Sequence, residues 1–450
     1  TKPEVVMEKK LNDLFQQFFR GRLDRRDFLT RLAVIPGGVA AASAALPLLN
    51  SPKAKAQMFI RGGTYSMAER DRRWANIRRM MSENGYDCLI VPKGMGDGIN
   101  FLQHAEYVSN AFFMTPGAVV FPLEGEPAVV GAVPSPNPWI QQMTLKWFEG
   151  GEQTPIGELI VDLVNEMGLA SGNIAVVGTQ AAVEGLNEFI NEGFVKYATW
   201  ATVMAGLPEA TFTDITPEFA ELVMVKGEEE QANIIGAAQV GEGLHAMLLD
   251  TIEVGLDARE VRVAVAEYLI RNDAASDVQA LELVPGPIRD GQVINSEYGI
   301  IASGGYAQVT LCVACGSVSD QTEELAEIAH ASMDYGAENL RAGARFGDVI
   351  AGMEEIVMRD GVWHGFPQIH GLMPMFMAGP VYNAPPPFQP SKTIGADIEV
   401  KPGMAFSFEP GARRGIGPGS GHVKVGATAI VTETGLDIHN EIGLRMQRIG

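Results

Sequence analysis

The chain has 450 residues, 46% of them hydrophobic and 20% charged, with a formal net charge of −21 at pH 7. This balance excludes a disordered chain, and the acidic excess excludes nucleic acid or an anionic lipid surface as the main partner, since both demand a positive field. After the first fifty or so residues no apolar run is long enough to span a bilayer.

The N-terminus reads as an export leader of the twin-arginine type. Asp24-Arg25-Arg26-Asp27-Phe28-Leu29 places a paired arginine ahead of Phe-Leu, an apolar run from Ala33 to Leu49 follows, and Ala54-Lys55-Ala56 offers small residues around a cleavage point before Gln57. Residues 1–56 therefore belong to targeting, and the protein is expected to fold in the bacterial cytoplasm and work in the periplasm. If the leader were retained, its apolar run, at ~1.5 Å per residue, would fall short of the ~30 Å hydrocarbon core and anchor the chain only marginally.

Residues 57–212 read as a small mixed-sheet domain. An amphipathic, arginine-rich helix over residues 68–84 is stopped by Gly85, and Tyr86-Asp87-Cys88-Leu89-Ile90-Val91 follows as a buried strand. Two strands at residues 118–122 and 127–131 are joined by a Glu-Gly turn, and a helix over 156–167 precedes a strand at 174–178.

From residue 213 to 450 the pattern becomes helices over an antiparallel sheet. A long amphipathic helix over 226–252 opens with Lys226-Gly227-Glu228-Glu229-Glu230, acids placed where the helix dipole favours them. A helix over 258–271, strands near 293–300 and 308–313, a helix over 323–340, and closing strands near 405–408 and 427–432 complete the domain. Residues 378–392, with Gly379-Pro380 and Pro385-Pro386-Pro387, form a proline-rich loop too rigid for a helix and expected over a cleft. No internal repeat is evident. Cys312 and Cys315 form a C-x-x-C on a strand, where residues three apart face opposite sides, so both read as buried apolar residues and not as a redox pair.

Four stretches carry a resemblance to the pita-bread hydrolases, the superfamily of creatinase, prolidase, aminopeptidase P and methionine aminopeptidase. They are Val225-Lys226-Gly227-Glu228-Glu229-Glu230, the pair His370-Gly371, the string Lys401-Pro402-Gly403-Met404-Ala405-Phe406-Ser407-Phe408-Glu409-Pro410-Gly411, and Val431-Thr432-Glu433-Thr434-Gly435. The resemblance implies an α/β, mixed-sheet creatinase-like N-terminal domain followed by an α+β pita-bread domain, an antiparallel sheet covered by helices. It also implies two Asp, one His and two Glu holding a pair of metal ions that activate water.

Carried over one at a time, those positions give a poor metal site. The first Asp falls at Glu297, or at Asn295 if the register slips; the second falls at Gln308 or Val309; the His matches His370 and the first Glu matches Glu409; the last Glu falls at Gly426, with Lys424 nearby. No dinuclear centre and no cofactor are expected, because divalent ions need carboxylates to offset their charge. Metal-free creatinase, by resemblance, leaves a proton-transfer chemistry for His370 and Glu409, with Glu297 as a third member. His364, His422 and Arg413 are candidate substrate-binding residues, Arg413 able to clamp a carboxylate bidentately. The resulting expectation is an exported hydrolase or lyase for a small nitrogenous or carboxylated molecule or a short peptide, dimeric or part of a larger complex. Two rivals stand beside it: a non-catalytic subunit for binding or assembly at the membrane, and an Xaa-Pro-type metallopeptidase.

Overall fold

The computed structural model describes residues 65–93, 104–111, 117–131, 137–146, 155–179, 195–416 and 421–450. The expected leader, residues 1–56, lies outside the described residues, as does the stretch 417–420 ahead of His422.

The first unit opens with α1 (Met67–Asn84). The Ser66 hydroxyl accepts from the Glu69 amide at its start, and Gly85 closes it at φ 72°, a left-handed turn that a Cβ would strain. There follow β1 (Cys88–Pro92), α2 (His104–Ser109), β2 (Gly117–Pro122), β3 (Ala128–Gly131), β4 (Thr144–Lys146), α3 (Ile156–Glu166), β5 (Asn173–Val176), α4 (Tyr197–Gly206) and β6 (Thr211–Asp214). The strands make one six-stranded sheet in the order β4-β3-β2-β1-β5-β6, with β1 antiparallel to β2 and parallel to β5. Every residue of β1 and β2 is buried, because α1 and α2 cover one face while α3 and α4 cover the other.

The second unit comprises α5 (Thr216–Met224), α6 (Glu228–Thr251), α7 (Ala258–Arg271), β7 (Ala275–Leu281), β8 (Val293–Ala302), β9 (Gly305–Cys315), α8 (Asp320–Asn339), α9 (Phe346–Val357), β10 (Ile369–Gly371), β11 (Ala405–Phe408), β12 (Gly411–Arg414), β13 (Gly421–Lys424), β14 (Ala427–Val431), β15 (Leu436–Ile438) and β16 (Gln447–Ile449). Its strands form two four-stranded sheets, β16-β9-β8-β7 and β10-β11-β14-β15, with β12-β13 as a separate hairpin. Helices α6 and α7 pack on the first of these sheets; α8 and α9 pack on the second. Helix α5 serves both units, burying Phe219 and Val223 with the first sheet and Ala220 and Met224 with the second core.

A buried charge network also ties the units together. Glu230 on α6 pairs with Arg72 (2.6 Å) and Arg73 (3.0 Å) of α1, and the Arg73 guanidinium lies over the rings of Tyr65 (4.2 Å) and Tyr107 (4.5 Å). Arg73 is 3% exposed, so its charge persists there only because Glu69, Glu230 and the ring faces replace water.

Several elements were not anticipated from the sequence, chiefly α4, α5 and α9. In α9 the glycines Gly347 and Gly352 weaken the helical signal, yet packing requires them: a Cβ on Gly352 would run into the Tyr335 ring of α8. The three cysteines are free and buried, as expected of apolar packing residues.

The same close approach sets α6 on β9. A Cβ at Gly241 would stand 2.5 Å from Val309 Cγ1. Gly241→Val is therefore expected to destabilise the protein by about 1–3 kcal/mol through overpacking, whatever the helix gains in propensity. Urea unfolding of the two proteins measures this, and an unchanged midpoint would show that α6 can lift away from β9 at no cost.

Candidate functional site

Five side chains from five different segments meet in the second unit. Glu297 comes from β8, Gln308 from β9, His370 from β10, Glu409 from the residue after β11, and Lys424 from the end of β13. In the β8–β9 ladder Gly299 opposes Gln308 and Glu297 opposes Thr310; opposed residues share a face and alternate ones return to it, so Glu297 and Gln308 point the same way. Gln308 Nε2 donates to Glu297 Oε1 (2.7 Å) and reaches Glu409 Oε2 (3.5 Å). The Lys424 ammonium pairs with both Glu297 Oε2 and Glu409 Oε2, and its Nζ sits 4.4 Å from the centre of the Phe366 ring. His370 Nε2 lies 3.4 Å from Glu409 Oε1, while its Nδ1 is 3.0 Å from the Gly371 carbonyl.

The two register alternatives left open by the sequence are placed by the strand geometry. Glu297 and Gln308 are the residues that face the cluster; Val309 packs in the core beneath α6, and Asn295 instead accepts from the Lys424 amide (3.1 Å) and donates to Glu282 (3.0 Å). Gly426, where the resemblance places the last Glu, is wedged against the Phe408 carbonyl and bridges Thr310. The side chain that fills the space is Lys424, a cation where the resemblance implies an acid.

Burial decides the protonation states. It pulls the His370 imidazole down to about 4, against the raising effects of the Gly371 hydrogen bond and the Glu297 charge, so the ring is neutral at pH 7. A carbonyl only accepts, so Nδ1 carries the hydrogen toward Gly371 and Nε2 is left with a lone pair and no hydrogen-bond partner. Burial likewise pushes the Glu409 carboxyl above the ordinary range; the Lys424 ammonium opposes this and the Glu297 charge adds to it. For Lys424 burial favours the neutral amine, but the charges of Glu297 and Glu409 outweigh it and hold the ammonium above its usual value. One ammonium cannot neutralise two carboxylates. Burial shifts Glu409, next to the His370 lone pair, toward its protonated form.

The structure treats the other candidates unequally. His364 lies apart from the cluster, its Nδ1 2.6 Å from the Phe366 carbonyl and its Nε2 2.6 Å from Glu354 Oε1, so both ring nitrogens face protein acceptors. His422 and Arg413 oppose each other in the β12–β13 hairpin, with Arg413 Nη2 3.3 Å from His422 Nδ1 and the guanidinium 5.1 Å from the Trp363 ring centre. They form a second cluster with Glu282, whose Oε2 is 3.8 Å from His422 Nδ1, and Asn295 links it to the first through the His422 carbonyl (3.2 Å). Arg414 turns away to pair with Glu324 (2.8 Å). Among the described residues, no group of three or more His, Cys, Asp or Glu is placed to hold a metal ion.

The protonation pattern has a stability consequence. The lowered His370 contributes stability that is present above its ordinary value of 6.5 and lost as pH falls toward 4. The raised Glu409 contributes stability that is present below its ordinary value of 4.5 and lost as pH rises past it. Between those two ordinary values the slopes oppose, since folding in effect moves one proton from imidazole to carboxyl. His370→Gln leaves only the Glu409 slope. Its stability relative to wild type is expected to fall as pH rises through this window, and chemical-denaturation midpoints that stay parallel would refute the assignment.

Comparison with known proteins fits this geometry. Residues 232–433 match the model of metallopeptidase family M24. The uncharacterized peptidase YqhT of Bacillus subtilis is 22% identical over 256 residues, a match covering 53% of this chain and 68% of the relative. Among solved structures, the Xaa-Pro dipeptidase from Bacillus anthracis superposes with a TM-score of 0.62 at 18% identity, covering 84% of this chain and all of that one. The dipeptidase PepE from Mycobacterium ulcerans gives 0.65 at 17%, covering 86% and 99%. The chain therefore has the two-domain pita-bread arrangement, with a mixed-sheet N-terminal region and a C-terminal region of which residues 232–433 match the M24 model.

Proposed function

We propose that this protein is an exported hydrolase or lyase that acts on a small nitrogenous or carboxylated molecule through proton transfer at His370 and Glu409, without a dinuclear metal centre. One observation carries the reading: the Lys424 ammonium pairs with both Glu297 and Glu409. Two divalent ions require several carboxylates to offset their charge, and here an amide, Gln308, and an ammonium stand among the two that remain. The donor set does not fit a metal pair.

In this reading the His370 Nε2 lone pair is the base, drawing a proton from water or from the substrate. The Glu409 carboxyl supplies a proton to the departing group, and Lys424 offsets negative charge as it develops. Positioned acid–base groups of this kind contribute roughly 10²–10⁴-fold. Arg413 and His422, in the adjoining cluster, are suited to an anionic end of the substrate. Export rests on the Arg25-Arg26 leader, and the domain limits proposed are 1–56, 57–212 and 213–450.

The test uses protein grown with manganese, zinc and iron, assayed with Xaa-Pro dipeptides, other short peptides and methylated amines before and after chelation. Turnover that survives chelation, and falls roughly 10²–10⁴-fold in His370→Ala, is expected. Two tightly bound ions per chain, with activity lost to the chelator, would overturn the reading in favour of a metallopeptidase. If no compound is turned over and none raises the melting temperature, a binding or assembly subunit takes its place.

A further inference from the structure

The His370–Glu409 pair is held by very little backbone. Strand β10 has three residues, and its ladder with β11 pairs Ile369 with Phe408, His370 with Ser407 and Gly371 with Phe406. Immediately before it, Gln368 is fully buried and committed at every polar atom of its side chain. Its Oε1 accepts from the Ser332 hydroxyl on α8, and its Nε2 donates to Glu354 Oε1 on α9 at 2.8 Å. Its backbone carbonyl accepts from the Glu409 amide at 2.9 Å. One residue thus stands two positions before His370 and directly against Glu409.

Glu354 is the centre of this support. The same carboxylate receives His364 Nε2 (2.6 Å) on Oε1 and the Tyr382 hydroxyl (2.9 Å) on Oε2. Tyr382 belongs to the proline-rich strap, which is closed on itself where the Val381 amide donates to Ser391 Oγ (2.9 Å). Helix α9, the segment leading into β10 and the strap therefore share one partly buried acceptor. A buried amide such as that of Gln368 costs free energy when its partners are removed, so the network resists displacement as a unit.

We propose that Gln368 is a positioning residue for the His370–Glu409 pair, fixed from behind by Glu354 and Ser332, and that the strap reaches the site through Tyr382 and Glu354. Gln368 acts through its neighbours: its side chain contacts neither Lys424 nor Glu297. The proposal rests on the reading of His370 and Glu409 as the acid–base couple, but it concerns where they are held and can fail separately. A displacement of ~1 Å between reacting groups is enough to cost on the order of 100-fold in rate.

The test is Gln368→Met, similar in length and unable to make either hydrogen bond, in the full chain. Histidine-selective ¹⁵N NMR reads the His370 ring, assigned among the seven histidines by its loss in His370→Gln. Wild type is expected to show a single neutral tautomer with hydrogen on Nδ1. In Gln368→Met that signal is expected to become a mixture of tautomers, and kcat is expected to drop on the order of 10- to 100-fold with KM unchanged. If Gln368→Met does not fold, Glu354→Gln carries the same two readouts, since it keeps the side-chain volume while weakening the shared acceptor. An unaltered His370 signal in a variant whose melting temperature has dropped would overturn the proposal and leave the network merely structural. Turnover that persists in His370→Ala would overturn the acid–base reading instead, while the NMR signal still decides the positioning.

Discussion

Lys424 reaches the middle of the cleft with its ammonium between Glu297 and Glu409, and burial leaves the cluster little freedom to be otherwise. Lys424 and Glu409 are 3% and 4% exposed, so neither charge has water to fall back on. Removing one partner of such a buried pair typically costs about 3–5 kcal/mol, because the survivor is stranded in a medium that does not solvate it. The neighbouring arrangement follows from this. Gln308 must donate, because the carboxylates facing it have acceptor capacity to fill; the Glu409 carboxyl is pushed upward, because burial penalises its charge beside Glu297; and His370 stays neutral, because desolvation and the nearby ammonium both disfavour a second positive charge.

The fold supplies these groups from separate layers, which accounts for their precision. Strands β8 and β9 belong to one sheet, β10 and β11 to another, and Lys424 arrives on the β12–β13 hairpin. Thr428 fastens two of these layers: its Oγ1 accepts from the Gln308 amide (2.9 Å) and donates to the Gln308 carbonyl (2.8 Å). Helices α8 and α9 then press on the second sheet from behind, with Phe408 in the same core as Met353. Each side chain of the cluster is thus set by backbone that is itself held in a packed layer.

Much of this was legible in the sequence, and the parts that were not have identifiable reasons. The Pro402-Gly403-Met404 to Glu409-Pro410-Gly411 string located Glu409, and the strand pattern around residues 293–313 located Glu297 and Gln308. Lys424 was seen only as a neighbour of the position assigned to Gly426. The two differ by two residues, and a slip of two keeps the same face of a strand, so alternation cannot separate them; the glycine-rich stretch before His422 removed the fixed spacing that would have. The Glu354 network was invisible for a different reason. Its members lie 10 to 28 residues from Glu354 on a helix boundary, a loop and a strap, and α9 itself was hidden by glycines kept for close packing. The surroundings of His364 were not legible either, because a histidine beside a glycine in a loop looks the same in sequence whether its ring faces solvent or a partly buried carboxylate.

The two kinds of site that this fold can build obey one constraint, neutrality in a buried cleft. The family pattern of two Asp and two Glu brings four negative charges, which two dications balance. In this chain Gln308 and Gly426 stand where the resemblance implies acids, and Glu297 and Glu409 face a single ammonium, that of Lys424. The cluster is left with one net negative charge, and burial shifts the Glu409 carboxyl toward its protonated form.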